Sequence, residues 1–182
     1  MENLRLSQGL GEVVEALFAA FGVRGLALSP ATEGPPEDAV LGMVTTPNEF
    51  IPAAPPSGAR LEIHAVQDLG GLEAARQVAI AGNGAGPLSA VYVPEVAAIP
   101  GVRIYVGRLE DRPVTTAMGW TANGATGILQ VATPPAHRRR GYGGAVTSRA
   151  VLDGFATGAD LAWLQTSGSG ERLYRKLGFR QV

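Results

Sequence analysis

The sequence predicts an α/β protein of the α+β type, and three observations support this. Strand-like runs at residues 102–108, 113–121 and 126–133 follow one another with only short turns between them. Asn123-Gly124, between the second and third runs, is a typical two-residue hairpin turn. Helical patterns, with apolar residues three and four positions apart, stand on both sides of these runs. We therefore expect an antiparallel meander flanked by helices.

The first 56 residues predict an α/β extension. Ser7 is placed to cap a helix over residues 7–22, whose apolar positions form one continuous stripe. Strand-like runs follow at residues 23–28 and 40–45. An extension this short has little core of its own, so we expect residues 1–56 to pack on the rest of the chain.

The main domain is expected to span residues 57–182, after a proline-rich linker at residues 52–58. Alternation at residues 61–65 predicts a strand, and Asp68 predicts the cap of a helix that ends near Gly82. The apolar face of that helix comprises Leu72, Ala75, Val78 and Ala79. Short helical pieces, the three strands, and then helix, strand, helix and a final short strand complete the order β-α-α-β-β-β-α-β-α-β.

Composition excludes several classes of protein. There is no cysteine, so neither a disulfide framework nor a cysteine nucleophile is available. A net charge of −1 gives no support to nucleic-acid binding, and two histidines in no ligand-like spacing argue against a metal site. The N-terminus has no signal-peptide pattern and no run is long enough to span a membrane. A cytoplasmic, bacterial protein is expected, with Lys176 as its only lysine reflecting an arginine-rich genome composition.

The segment His137-Arg138-Arg139-Arg140-Gly141-Tyr142-Gly143-Gly144 is the clearest functional motif. It lies between an apolar strand-like run and a helix-forming run, so its glycines open a helix. The first turn of a helix presents unpaired N–H groups and the positive end of the macrodipole, and glycine lets a ligand approach them closely. Arginines add forked donors for phosphate oxygens. The motif therefore predicts a phosphate-binding turn.

Two stretches resemble the GNAT acetyltransferase superfamily. Residues 138–143 match the acyl-CoA motif Arg/Gln-x-x-Gly-x-Gly/Ala, and residues 173–179 (Leu-Tyr-Arg-Lys-Leu-Gly-Phe) resemble the superfamily's Leu-Tyr-x-Lys-x-Gly-Phe ending. The order of elements also agrees, so the resemblance covers residues 60–182. It implies the GNAT fold: a central mixed, mostly antiparallel sheet with a splayed strand pair that binds acyl-CoA.

The resemblance implies which residues bind acetyl-CoA, the co-substrate. Backbone groups of Val131, Ala132 and Thr133 would pair with the pantetheine arm as a neighbouring strand would. Residues of the basic turn would hold the pyrophosphate: Arg138, Arg139, Arg140, Gly141, Tyr142, Gly143 and Gly144. Tyr174 would be the catalytic acid that protonates the departing thiolate, since a phenol's pKa lies close enough to a thiol's.

The sequence departs from the superfamily in two places. Seven residues before Tyr174, where the family often has an asparagine on CoA, stands Ser167, which offers one hydroxyl instead. Only residues 180–182 remain for a sixth core strand, and the family's usual seventh strand is missing. An exposed sheet edge is a liability. We therefore hypothesise that the extension, or a partner subunit as in a homodimer, covers that edge.

The expected function is an N-acetyltransferase (an acyltransferase of the EC 2.3.1 class). It would move acetyl from acetyl-CoA to a primary amine by direct attack in a ternary complex. The acceptor is a small-molecule or peptide amine, and no metal, nucleic acid or membrane is expected to take part. A non-catalytic acyl-CoA-binding regulator and a transferase of longer acyl groups remain alternatives. No general base is identified: Glu62, His64, Glu95 and Gln130 lie on or near the expected sheet, and Asn48 and Glu49 precede the linker.

Overall fold

The computed structural model describes residues 40–55, 60–85 and 87–182, with backbone alone at 40, 87, 88, 168 and 169. The predicted helix at residues 7–22 and strand at 23–28 lie outside this part. The described residues belong to one compact unit that begins at Pro36, so the unit includes the strand at residues 40–45. A domain boundary between residues 56 and 57 stays a prediction.

The described residues form seven strands and four α-helices. The strands are β1 (Val40–Thr45), β2 (Leu61–Ala65), β3 (Val102–Leu109), β4 (Arg112–Ala122), β5 (Ala125–Ala132), β6 (Leu161–Ser167) and β7 (Arg180–Gln181). The helices are α1 (Leu69–Asn83), α2 (Pro94–Ala97), α3 (Tyr142–Ala156) and α4 (Gly168–Lys176). Short 3-10 turns at Pro87–Val91 and Pro135–His137 complete the order. Among the residues that the structure describes, this is the predicted order.

All seven strands belong to one sheet, in the order β2-β3-β4-β5-β6-β1-β7. Strands β5 and β6 run parallel, and every other neighbouring pair is antiparallel. The predicted fold class, a mixed and mostly antiparallel sheet with helices, is confirmed.

Strand β1 of the extension lies inside the sheet, between β6 and β7. It pairs with β6 along six residues, from Val40 opposite Ser167 to Thr45 opposite Ala162, and with β7 at Met43 and Val44. The side chain of Met43 is fully buried in the main core. Residues 40–45, which the sequence assigns to the extension, therefore cover the side of β6 that faces away from β5, and the packing of residues 1–56 as a whole stays a prediction.

Local turn signals in the sequence agree with the backbone. Asn123 and Gly124 have φ angles of 49° and 76°, and Glu110 and Asp111 have φ angles of 47° and 67°. Two consecutive left-handed residues match the right-handed twist of hairpin strands, so both connections are tight antiparallel turns. Asp68 caps α1, since its carboxylate accepts a hydrogen bond from the N–H of Gly71 at 2.7 Å.

Helix α1 crosses one face of the sheet and buries the four residues that the sequence predicts, Leu72, Ala75, Val78 and Ala79. It ends at Asn83 and is closed by Gly84, whose φ is 87°. The predicted end near Gly82 is confirmed, since Gly82 lies in the last turn. A Cβ there would stand 3.1 Å from the backbone nitrogen of Thr133, so this glycine allows α1 to approach the end of β5.

Candidate active site

Strands β5 and β6 separate halfway along their length. Their parallel pairing runs from Ala125 opposite Leu161 to Ile128 opposite Leu164 and then stops, while β5 continues to Ala132 and β6 to Ser167. The predicted splay is present. The part of β5 that no longer pairs with β6 offers backbone groups to an extended ligand that lies beside it.

A β-bulge lies in the splayed part of β5. Thr116 faces Ala132 and Met118 faces Leu129, so Ala117 stands opposite two residues, Gln130 and Val131. Gln130 has a φ of 51°, a left-handed conformation that is uncommon outside glycine. Bulges redirect backbone groups out of the ladder. At this position the bulge takes the peptide groups of Gln130 and Val131 out of the regular β4–β5 ladder.

Two side chains outside any motif hold this bulge. The hydroxyl of Tyr92 donates a hydrogen bond to the carbonyl of Gln130 at 3.4 Å, and Asn83 Nδ2 donates to the carbonyl of Val131 at 3.5 Å. Tyr92 is buried, and its burial raises the pKa of the phenol to about 12. Sequence reasoning missed both residues.

The end of β5 is fixed by a further hydroxyl pair. Thr115 Oγ1 donates to the carbonyl of Ala132 at 3.0 Å and lies 3.0 Å from Thr133 Oγ1. Ala132 is buried, while Val131 and Thr133 are half-buried. Two of the three residues predicted to line the pantetheine arm, Ala132 and Thr133, are therefore held next to the splay by hydrogen bonds to Thr115. Their contact with that arm stays a prediction.

Helix α3 begins with an uncapped first turn. Gly141 precedes the helix with a φ of 85°, and no described side chain caps the turn. The helical hydrogen bonds begin at Ala145, whose N–H donates to the carbonyl of Gly141 at 3.0 Å. Arg139 also has a left-handed φ of 59°. Left-handed residues that alternate with right-handed ones form anion-binding concavities of N–H groups, so this turn fits a phosphate.

The glycines of the first turn are not required by the protein's own packing. A Cβ at Gly143 would stand 3.5 Å from Thr133 Oγ1 and 3.6 Å from Leu173, and a Cβ at Gly144 would meet Ala53 and Leu173 at 3.4 Å. These are ordinary contact distances. By contrast, a Cβ at Gly127 or Gly154 would overlap a neighbouring side chain. Glycine at 143 and 144 is therefore consistent with close approach of a ligand.

The three arginines of the motif have different environments. Arg138 Nε donates to the carbonyl of Thr133 at 3.0 Å, and its Nη2 donates to the carbonyl of Gly82 at 2.6 Å. Its guanidinium thus ties the end of β5 to the last turn of α1. Arg139 and Arg140 are exposed and have no partner among the described residues. Their charges are the ones free to face an anion.

Tyr174 lies in the main core on α4. It is 8 % exposed, and its ring packs edge-to-face against Phe179 at 6.0 Å between centroids. Burial raises the pKa of its phenol to about 12. Because the phenol stays protonated at neutral pH, it has the state that a proton donor needs. Its catalytic role stays a prediction.

Ser167 is the last residue of β6 and directly precedes α4, at the open end of the splay. Its side chain is exposed. Its position is compatible with the contact to CoA that the resemblance implies, and that contact also stays a prediction.

The remaining acid–base candidates lie elsewhere. His64 and Glu62 are on edge strand β2, three strands from β5, where their side chains are 3.6 Å apart and largely exposed. Glu49 lies near the end of α4, 3.7 Å from Arg180. Within the described ranges, no group of three or more His, Cys, Asp or Glu side chains is arranged to hold a metal ion. None of the helices in this part of the chain is long and apolar enough to cross a bilayer.

A family model described as Acetyltransferase (GNAT) domain matches residues 100–181. These residues include β5, the basic turn, α3, β6 and α4. Residues 100–181 are a GNAT acetyltransferase domain. The splay, the uncapped turn and Tyr174 therefore lie within a domain of this acyltransferase family. A search of curated proteins gives no match.

Solved structures support this GNAT domain. A GCN5-related N-acetyltransferase from Kribbella flavida is 26% identical, with a TM-score of 0.61 over 78% of this chain and 53% of its own. This chain thus spans about half the length of that protein. A Trypanosoma brucei acetyltransferase is 20% identical, with a TM-score of 0.56 over 66% of this chain and 92% of its own.

The Escherichia coli ribosomal-protein-S18-alanine N-acetyltransferase is 15% identical, with a TM-score of 0.59 over 67% of this chain and 79% of its own. Because the Trypanosoma brucei and Escherichia coli proteins are at most 20% identical to this chain, their similarity shows the GNAT fold alone.

Proposed function

We propose that this protein transfers the acetyl group of acetyl-CoA to a primary amine, on a small molecule or a peptide, by direct attack in a ternary complex. The observation that supports this most is the position of the uncapped start of α3. Thr133, at the end of the splayed β5, lies beside Gly143 in the first turn of α3. The strand edge that would pair with the two pantetheine amides therefore lies next to the N–H groups that would bind the phosphates. Pantetheine and pyrophosphate are adjacent in acyl-CoA, so the two parts of the site match the two parts of the ligand.

Each part of the site has a role in donor binding. The backbone around the bulge at Gln130 and Val131 pairs with the pantetheine amides, and the first turn of α3 binds the pyrophosphate. Arg139 and Arg140 add positive charge at the turn. Arg138 holds the turn in place from behind, through the carbonyls of Thr133 and Gly82.

The chemistry follows from positioning. Acetyl-CoA supplies an activated acyl thioester. N–H groups at the bulge polarise its carbonyl, so the amine nitrogen forms a C–N bond as the C–S bond breaks. Tyr174 gives its proton to the departing sulfur, and the proton lost by the amine passes to water. No acyl-cysteine step is available, because the chain has no cysteine.

The test is an acetyl-transfer assay over a panel of primary amines, comparing the wild type with Tyr174→Phe. We expect the phenylalanine variant to keep its affinity for acetyl-CoA and to lose about 10²-fold or more in kcat, the contribution of a positioned acid. If the wild type binds acetyl-CoA but acetylates no amine, a non-catalytic acyl-CoA-binding protein would be the better description. If kcat is unchanged in Tyr174→Phe, this residue is not the acid.

A further inference from the structure

The segment Thr46–Pro55, called the strap below, follows β1 and lies over α3 and α4. Its aromatic anchor is Phe50, whose ring packs edge-to-face against Phe155 at 6.0 Å and Phe179 at 6.2 Å. The N–H of Ile51 donates to the carbonyl of Leu177 at 3.0 Å. The strap is therefore attached to the ends of both helices.

The strap then reaches the start of α3. The N–H of Ala53 donates to Ser148 Oγ at 2.9 Å, and Ser148 is 3% exposed. The Cβ of Ala53 lies 3.4 Å from the position that a Cβ on Gly144 would occupy. Ala54 and Pro55, which follow, are exposed and uncharged.

Three elements thus surround the first turn of α3. Thr133 at the end of β5 adjoins Gly143, Leu173 of α4 adjoins both glycines, and Ala53 of the strap adjoins Gly144. Only the first two belong to residues 100–181, the part matched by the family model. Ala53 belongs to the strap, which directly follows β1 and lies outside the matched residues.

We propose that the strap forms a wall of the nucleotide end of the donor site, with Ala53 and Ala54 beside the phosphates of the 3′,5′-ADP portion of CoA. This inference rests on the proposed function. An uncharged wall at this point adds no charge of its own to that of the first-turn N–H groups and of Arg139 and Arg140. The strap then contributes directly to the preference for CoA over acyl donors that lack the nucleotide of CoA.

The experiment places a charge on the wall. Ala53→Asp and Ala53→Asn differ in charge but hardly in size, so only an effect of nearby phosphates separates them. We expect the aspartate variant to bind 3′,5′-ADP about three- to tenfold more weakly than the asparagine variant at low salt. The difference should shrink in about 1 M salt, which screens charges beyond about 3 Å.

Two further comparisons make this test specific. Ala54→Asp and Ala54→Asn change an exposed residue, so the test stands even if substitutions at Ala53 disturb folding. Leu69→Asp and Leu69→Asn make the same change at an exposed residue at the far end of α1, about 20 Å from Gly82 along the helix axis, and should bind 3′,5′-ADP equally. With acetyl-pantetheine, which lacks the nucleotide, kcat/KM should be the same for the Asp and Asn variants of each pair.

Two outcomes overturn the inference and differ from each other. Equal binding of 3′,5′-ADP by the Asp and Asn variants at both Ala53 and Ala54, in a protein that binds acetyl-CoA, shows that the strap does not face the phosphates. Failure of the wild type to bind either acetyl-CoA or 3′,5′-ADP removes the proposed function together with the strap's role.

Discussion

At the scale of single residues, Tyr92 and Asn83 contact the backbone of the bulge in β5. Each donates a hydrogen bond to a carbonyl there, Tyr92 to Gln130 and Asn83 to Val131. Gln130 is held in a left-handed conformation that costs free energy for a residue with a Cβ. Such a conformation persists when its surroundings fix it, and these two side chains are part of those surroundings.

Tyr92→Phe removes one of the two donors while keeping the ring. We expect kcat to fall about three- to tenfold with little change in the affinity for acetyl-CoA, because the bulge relaxes while the phosphate turn is untouched. Steady-state kinetics and a donor titration check this. Tyr105→Phe is the matched control, since the Tyr105 hydroxyl donates to Asp153 instead. An equal loss of kcat in both variants would contradict the role given to Tyr92.

The buried tyrosines also predict how stability depends on pH. Burial raises the pKa of Tyr92 and of Tyr174 to about 12, from the ordinary phenol value of 10.0. Above pH 10 the unfolded chain releases these protons while the folded protein retains them. The free energy of unfolding should therefore fall as pH rises from about 10 to 12, by at most about 1.4 kcal/mol per pH unit for each tyrosine.

Urea unfolding between pH 8 and pH 11 measures this dependence. The slope above pH 10 should be smaller in a Tyr92→Phe/Tyr174→Phe variant than in the wild type. An identical alkaline slope in the two proteins would show that these phenols do not control it.

The sequence identifies Tyr174 and the basic turn because each belongs to a local motif. It cannot identify Asn83 or Tyr92, because their acceptors are backbone carbonyls 48 and 38 residues away. A backbone acceptor leaves no residue type to recognise in the sequence. Only the folded chain shows these contacts.

At the scale of elements, the turn between β5 and α3 divides its arginines between two tasks. Arg138 binds the carbonyls of Thr133 and Gly82, whereas Arg140 is exposed and has no partner among the described residues. The repeated arginines of the motif therefore do not have one common role.

Arg138→Ala and Arg140→Ala should differ accordingly. We expect Arg138→Ala to lower the melting temperature by about 2–4 °C, because two hydrogen bonds from a charged donor are lost. Arg140→Ala should leave the melting temperature unchanged and weaken acetyl-CoA binding about three- to tenfold at low salt. Thermal melts and calorimetric titrations of both variants separate the effects. Equal changes in both variants would mean that the arginines are interchangeable.

Helix and hairpin boundaries follow from local chemistry and were therefore predictable. Asp68 caps α1, and Asn123-Gly124 forms the turn between β4 and β5, as the sequence indicates. The end of α1 is also predictable, since the helix ends at Asn83, one residue beyond Gly82. The sequence does not show that Gly82 also lets β5 lie against α1.

At the scale of the whole molecule, β1 completes the sheet. It lies between β6 and β7, and residues 40–45 pair with residues 162–167 across more than 100 positions of sequence. The sequence predicts a strand at residues 40–45 and an exposed sheet edge that needs a cover. It does not give their register, because pairing of distant strands depends on the assembled core.

Met43→Ala tests the contribution of β1 to the fold. Met43 is fully buried beside Leu164 and Tyr174 in the main core. We expect a loss of about 2–4 kcal/mol in the free energy of unfolding, from lost burial and the cavity left behind. Denaturant unfolding measures it, with Leu152→Ala, at a residue 45% exposed, as a control that should change little. A Met43→Ala effect as small as the control's would mean that β1 adds little to the core.

The most direct test of the central claim is a calorimetric titration of the protein with acetyl-CoA, repeated with CoA and with 3′,5′-ADP. If the splay and the uncapped start of α3 form a donor site, all three ligands bind. Acetyl-CoA and CoA then bind more tightly than the nucleotide alone, because only they occupy the strand edge. If neither acetyl-CoA nor 3′,5′-ADP binds, the site at Gly141–Gly144 does not hold the donor and acetyl transfer by this chain is excluded.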